Sequence, residues 1–430
     1  MSCIQCSLQN CPSPECKLIH TAKRHYCRRV KTCSKSRGTR KQLKTICPSS
    51  GDCISFGRHV NEINDYFDFT TFAHVTNLEL LGTSSANGFI HKLTYKKNNY
   101  SAYAILKASQ RPSADNILYE YLVGMYINKV MLRFPCFIQT YGLFSYQQLI
   151  PNVSAKEQLQ SLRPETFDFH KSCTAPTELS ILIQHVPAKY SLYAIVKKLN
   201  YISAFGLNHI LFILYHTLSS LSASFTHYDL HSENVILYIP DITKCIQYVY
   251  HFEDGSQISF KNACVPKIID YGRCYFNTGQ YSSNDVYHEV CKQCDSCGKY
   301  HGYKSLNELD RVFCSRYKNE SIDLRLLYHL HKKIKKIMPA VPSASLQHLS
   351  KLLPKVNFGK GVLSGADASF GTAEVINPNP NGSIYNVTDA YREFKQIILH
   401  PDIQQENDKM YGEPLGILHV YPDRMEYKNK

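Results

Sequence analysis

The stretch Thr226-His227-Tyr228-Asp229-Leu230-His231-Ser232-Glu233-Asn234 puts an aspartate and an asparagine five residues apart, just before the apolar run Val235-Ile236-Leu237. On a loop ahead of a strand, those residue types suit two tasks. Asp229 can orient an attacking hydroxyl and accept its proton. The amide oxygen of Asn234 can bind a divalent cation. A second piece lies downstream in Lys267-Ile268-Ile269-Asp270-Tyr271-Gly272. Asp270 ends an apolar strand before a glycine, where a carboxylate can hold Mg²⁺ bridging nucleotide phosphates. Upstream, Tyr103-Ala104-Ile105-Leu106-Lys107 is an apolar run that ends on a cation, and Glu120 follows 13 residues later.

These groups need a scaffold, and hydrophobic periodicity supplies its outline. Strands are expected at 78–82, 89–95 and 100–108, with the small-residue turn TSSANG after the first and a polar tip at 96–99 after the second. Ile117, Leu118, Tyr121, Leu122 and Met125 fall on one helical face. Further strands are expected at 137–144 and 179–185, with a polar insert between them. A long apolar helix is expected over 207–225. Four short strands follow, over 235–238, 245–252, 257–260 and 266–269, and the EDGS tip makes the middle pair a hairpin. Helices are expected over 321–338 and 386–400, and Leu415 to Val420 reads as a strand. No fixed-period repeat is visible.

The joint order of these parts resembles the protein-kinase superfamily over roughly residues 75–335. The resemblance implies a bilobal α+β fold: a small antiparallel β lobe over 65–186 and a mainly helical large lobe over 187–340. A Cys-rich segment (1–60) precedes them and a C-terminal extension (341–430) follows. It also implies roles. Lys107, aligned by Glu120, would clamp the α- and β-phosphates of ATP. Gly82, Ser85 and Gly88 would lie in the phosphate-covering loop. Gln184, His185 and Val186 would form the hinge that receives adenine. Asp229 would contact the acceptor hydroxyl, while Asn234 and Asp270 would hold Mg²⁺ or Mn²⁺. Asp323 would be the buried helix aspartate that supports the catalytic loop. More narrowly, the HYDLHSEN loop, the YVYHFEDG hairpin and the CISFGR run resemble divergent kinases of large nucleocytoplasmic DNA viruses. That likeness implies a place in the host-cell cytoplasm or the virion.

Departures from the family pattern keep the function open. Aligned from Gly88, the first two family glycines fall on Thr83 and Ser85. Small residues still let the backbone approach phosphates, though less freely than glycine. Tyr228 stands where an arginine often precedes the catalytic aspartate. His231 stands where serine/threonine kinases commonly carry lysine, and H-x-D-L-H-x-x-N also resembles aminoglycoside and choline phosphotransferases. Neither an A-P-E segment nor a tryptophan-containing large-lobe helix motif is present. The leading expectation is ATP-dependent transfer to serine or threonine hydroxyls of a protein substrate. The alternatives are a small-molecule phosphotransferase and a pseudokinase scaffold.

Composition narrows the rest. With 430 residues, 43% hydrophobic and 20% charged, the chain can bury a sizeable core and is neither collagen-like nor a small disulfide knot. No apolar run of membrane-spanning length occurs, and no secretory signal opens the chain. The net charge of +14 is concentrated in the first 50 residues, where Glu15 is the single acid. The 17 cysteines are skewed the same way, and their odd total without an export signal favours a reducing compartment. Cys3, Cys6, Cys11 and Cys16 form one cluster, and Cys291, Cys294, Cys297 and His301 form another. Both have residue types that suit tetrahedral Zn²⁺. The first fits no single standard finger spacing, and its other reading is a disordered, Cys-rich basic tail. The other reading of the second is ordinary free thiols, and metal analysis separates these. The basic N-terminus would suit nucleic acid or another polyanion.

Overall fold

Apolar alternation through two ten-residue runs builds a hairpin, and the computed structural model places it inside a six-stranded sheet. The structure describes residues 16–20, 25–29, 54–57, 59–81, 88–98, 100–109, 117–145, 159–165, 179–186, 190–197, 206–241, 243–286, 302–304, 312–314, 318–339, 342–358 and 382–429. In chain order the elements begin β1 (Cys16–His20), β2 (His25–Arg29), α1 (His59–Phe67), β3 (Val75–Leu80), β4 (Gly88–Lys97), β5 (Tyr100–Ser109) and α2 (Ile117–Val130). Next come β6 (Thr140–Ser145), β7 (Arg163–Glu165), β8 (Leu179–Gln184), β9 (Tyr190–Ser191), α3 (Leu192–Ile195), α4 (Leu207–Ser220), β10 (Phe225–Thr226) and β11 (Val235–Tyr238). They continue with β12 (Cys245–His251), β13 (Gln257–Asn262), β14 (Val265–Ile268), β15 (Tyr275–Phe276), α5 (Ser283–Asp285), β16 (Gly302–Lys304) and β17 (Val312–Cys314). A 3₁₀ turn (Ile322–Leu324) then leads into α6 (Arg325–Ile337). It is followed by α7 (Ala344–Leu352), α8 (Val387–Leu399), α9 (Pro401–Met410), β18 (Pro414–Val420) and β19 (Met425–Asn429).

The chain divides into two compact units, 1–47 and 48–430. The described part of the first is the antiparallel hairpin β1–β2, with Cys16 opposite Arg29. In the second, the large sheet runs β3-β4-β5-β8-β6-β7, and every neighbouring pair is antiparallel. Its register puts Lys107 between Ile90 and Ile181. The architecture is mixed α+β, an antiparallel sheet with helices.

Helix α2 lies against this sheet with unusual closeness, and Gly124 is the reason. A Cβ built there would sit 2.1 Å from Thr140 Oγ1. Nearly every residue from Ile117 to Ile127 is buried, Glu120 among them. The helix therefore enters the core on most of its circumference, as a helix apolar all round must.

Helix α4 is apolar on almost every side and is buried along most of its length in the same hydrophobic core as α2. His209 and His216, which interrupt its apolar run, are core residues, and burial lowers both to about 3. Helix α8 packs along it through a stacked Tyr215–Phe394 pair and a Phe212–Tyr391 contact. The C-terminal strand is a core element too. β18 joins β12 in parallel, Ile246 opposite Gly416 through Tyr250 opposite Val420, and β19 completes the order β13-β12-β18-β19. Gly416 is required there, because a Cβ would meet Lys428 O at 2.6 Å.

Several boundaries differ from the sequence expectation. β3 covers Val75–Leu80 rather than 78–82, and α6 opens at Arg325 after a 3₁₀ turn. Two further differences have a clear physical cause. The strand expected from Phe137 starts at Thr140. Phe137 instead bridges in parallel to Ile268, and the buried Lys267 Nζ donates to Phe137 O at 2.9 Å, tying this segment to β14. The long helix ends at Ser220, before a turn rich in serine that delivers Phe225 to β10. Serine competes for its own backbone and so favours helix ends. Among the described residues, no helix is long and apolar enough to cross a membrane.

Gly124→Ala separates packing from intrinsic propensity. Alanine is the better helix former by about 1 kcal/mol. Overpacking against Thr140 is expected to win, with a net loss of about 1–3 kcal/mol in urea denaturation. A stabilised variant would contradict the close approach of α2 to β6.

Candidate active site

Lys107 projects from β5 towards α2, and its Nζ donates to Glu120 Oε2 at 2.7 Å. Glu120 is 3% exposed, so this pair sits largely out of water. The same ammonium reaches Asp270 Oδ1 at 3.4 Å. Asp270 follows β14 and its side chain is 47% exposed, open to a ligand on one side. The Lys107 ammonium holds its carboxyl below the usual carboxylate range, despite the opposing cost of desolvation. Asp270 is therefore an ionised oxygen donor across neutral pH. Its backbone is left-handed, φ 68°. A non-glycine residue there costs about 1–3 kcal/mol, and such strain concentrates at functional positions.

A second loop carries Asp229 and Asn234. Asn234 Nδ2 donates to Asp229 O at 3.0 Å, which leaves Oδ1 as the amide atom for a cation. Asn234 O accepts from Ile269 N at 3.0 Å, one residue before Asp270. The two metal-suited side chains thus lie on loops that are bonded to each other. Both are oxygen donors of the kind that Mg²⁺ takes, usually one or two beside water and phosphate oxygens.

Asp323 holds the start of this loop from below. Its Oδ2 accepts the His227 N–H at 2.8 Å and its Oδ1 the Tyr228 N–H at 2.9 Å. His227 Nε2 meets Ile269 O at 3.0 Å, closing the link to the other loop. Tyr228 is left-handed, φ 65°, and fully buried. The two N–H bonds are what hold this strained turn in place. Burial pushes the Asp323 carboxyl up to about 7, against those same bonds.

The surroundings of Asp229 are the main feature that sequence reading missed. Arg325 Nη1 donates to Asp229 Oδ1 at 2.6 Å, and Arg273 Nη1 lies 3.5 Å from Oδ2. Arg325 opens α6, two residues after Asp323, so one short segment supports the loop from below and supplies a cation to it. Arg273 follows Gly272 directly. Neither spacing announces the contact. Tyr119 was also missed: its hydroxyl bonds to Cys274 O and Ser283 Oγ, both at 2.6 Å, and so ties α2 to the segment after Asp270. Lys267, lowered to about 8 by burial, staples β14 rather than facing the site.

Of the hinge candidates, Gln184 ends β8 and its N–H donates to Gln139 O at 2.7 Å. His185 donates from its backbone to Tyr103 O at 3.2 Å, and burial lowers its imidazole to about 4. Val186 is buried beside them. Gly88 opens β4 opposite Ser109. Gly82 and Ser85 lie outside the described residues, as do Cys3, Cys6, Cys11, Cys291, Cys294, Cys297 and His301. Cys16 is described as a backbone position on β1.

No protein-family description and no curated protein matches this chain. Among solved structures, the crystal structure of a kinase domain aligns at 18% identity over 51% of this chain and 57% of that one, with a TM-score of 0.27. The match thus spans little more than half of that domain. An overlap this partial carries no argument, and the chemistry rests on the contacts above.

The raised Asp323 value has a pH consequence. An unfolded aspartate titrates at about 3.9, so between about pH 4 and pH 7 the folded chain holds a proton that the unfolded chain releases. Stability from this group therefore falls as pH rises through that window. Urea denaturation from pH 5 to 7 should show a downward slope in the wild type that flattens in Asp323→Asn. Equal slopes would contradict the buried, raised carboxyl.

Proposed function

We propose that the chain is an ATP-dependent phosphotransferase with a kinase-like, bilobal arrangement, acting on serine or threonine hydroxyls of a protein. The observation that carries this reading is the contact of Lys107 with both Glu120 and Asp270, on a loop bonded to the one that holds Asn234. Lysine beside a partly exposed, ionised aspartate is a polyphosphate and cation arrangement. An exposed lysine at a strand end would be the ordinary alternative, and it would not be held by a buried glutamate.

Phosphoryl transfer asks a protein for positioning and charge neutralisation more than for covalent chemistry. Mg²⁺ bound with ATP would supply the neutralisation of phosphate charge. Asp270 and Asn234 are the residues that would hold it. Glu120 fixes the Lys107 ammonium so that it meets phosphate oxygens without reorganising. Asp229 is held at both carboxylate oxygens by arginines, which sets its orientation toward an incoming hydroxyl. Arg325 also places a positive charge where an acceptor and a phosphoryl group would meet.

Asp229→Asn keeps the side-chain shape and removes the proton acceptor. Radiolabelled ATP with Mg²⁺ and casein or histone is expected to show transfer lowered by about 10²–10⁴-fold, with nucleotide binding retained. Full transfer in that variant would remove Asp229 from the reaction. Label on an aminoglycoside or choline, and none on protein, would reassign the acceptor.

A further inference from the structure

The mechanism leaves unused a group of cations beside the catalytic loop. Tyr193, on α3, has Lys197 Nζ and Lys333 Nζ each 3.9 Å from its ring centroid. The backbone N–H of Tyr193 donates to Ser232 O at 2.8 Å, and Lys333 Nζ donates to Ser232 Oγ at 3.1 Å. Ser232 lies between Asp229 and Asn234 on the loop. Lys333 is therefore pinned next to the residues that would face an acceptor, while Lys197 is exposed and leans on the same ring.

Helix α6 continues this side of the loop, with Arg325 and Lys333 as its cations and a histidine between them. Arg325, His329 and Lys333 are spaced i, i+4, i+8, one row along the helix. The row runs from Asp229 to Ser232, roughly 12 Å at the helical rise per residue. The helix contains no acidic residue between Arg325 and Ile337. Of the loop's two acids, Asp229 pairs with Arg325, and Glu233 is exposed and lies near enough to act on Lys333. A solvated basic face is the common reason for such a helix. It does not account for Lys333, which is half-buried between a loop hydroxyl and an aromatic ring.

We propose that this row is a docking track for an acidic segment of the phosphoryl acceptor, a hydroxyl flanked by carboxylate side chains. This rests on the phosphotransferase reading and adds the substrate class. The match is one of charge complementarity, and at Lys333 it is preorganised: the Tyr193 ring and Ser232 already fix that ammonium, so little ordering remains there for binding. Exposed lysines free to rotate would not give the same selectivity.

The test uses the full chain and fluorescein-labelled serine peptides of equal length, flanked by glutamate, by glutamine or by arginine. Binding is read by anisotropy at two salt concentrations, and transfer from radiolabelled ATP is read in parallel. The acidic peptide is expected to bind at least about tenfold tighter than the arginine one, with the difference shrinking as salt rises. In the Lys197→Glu, Lys333→Glu double variant, checked for folding by thermal denaturation, the order should reverse. Lys197→Glu alone, on an exposed side chain, should give part of the same change. Equal binding of the three peptides, or an order untouched by charge reversal, overturns the track. So does displacement of none of the acidic peptide by its unlabelled form while single-stranded DNA displaces it fully. Selective binding without transfer supports the track and refutes the phosphotransferase reading. Transfer without selectivity does the reverse.

Discussion

A buried carboxylate is the constraint around which the site is organised. Glu120 is almost fully enclosed on α2, where an unpaired charge would cost several kcal/mol. Lys107 answers it at 2.7 Å from the neighbouring sheet. That bond fixes the relation of β5 to α2 and leaves the lysine head beside Asp270. Gly124 lets the helix come close enough, and Tyr119 ties the same helix to the chain beyond Asp270. Three separate segments are thereby set by one helix. A change in helix position would move the lysine, the carboxylate and the following segment together.

The loop of Asp229 and Asn234 is held differently, by backbone bonds rather than charge. Asp323 takes two consecutive N–H groups, one of them from left-handed Tyr228. His227 and Asn234 then bond to Ile269, next to the second left-handed residue, Asp270. Both strained residues are thus flanked by fixed hydrogen bonds, which is how a few kcal/mol of local strain persists in a folded chain. The result is a pair of loops that carry oxygen donors in fixed relation before any ligand arrives.

The sequence displayed the site better than its surroundings. Asp229, Asn234 and Asp270 were legible because each sits in a short contiguous pattern next to an apolar strand. Lys107 and Glu120 were legible from a strand end and a helix 13 residues apart, and the structure pairs them. Arg325 and Arg273 were not, since their approach to Asp229 depends on how α6 and the turn after Gly272 pack, which no local spacing encodes. The hairpin β12–β13 was announced by its EDGS tip, where Gly255 is left-handed at φ 79°. The parallel partner of β12 was invisible, because β18 arrives from more than 160 residues away and parallel pairing leaves no turn signal. The start of β6 was misplaced because a buried lysine, Lys267, binds the carbonyl of Phe137, a polar contact that hydrophobic periodicity does not register.

The claim that most depends on this geometry is that Lys107 and Asp270 form a metal–polyphosphate site. Calorimetric titration of ATP into the full chain, with Mg²⁺ and then with EDTA, tests it directly. The account predicts binding that requires Mg²⁺, is lost in Asp270→Asn, and is weakened in Lys107→Met while the fold stays intact by circular dichroism. ATP binding that is indifferent to Mg²⁺ and to both substitutions, or no binding by the wild type, would contradict it.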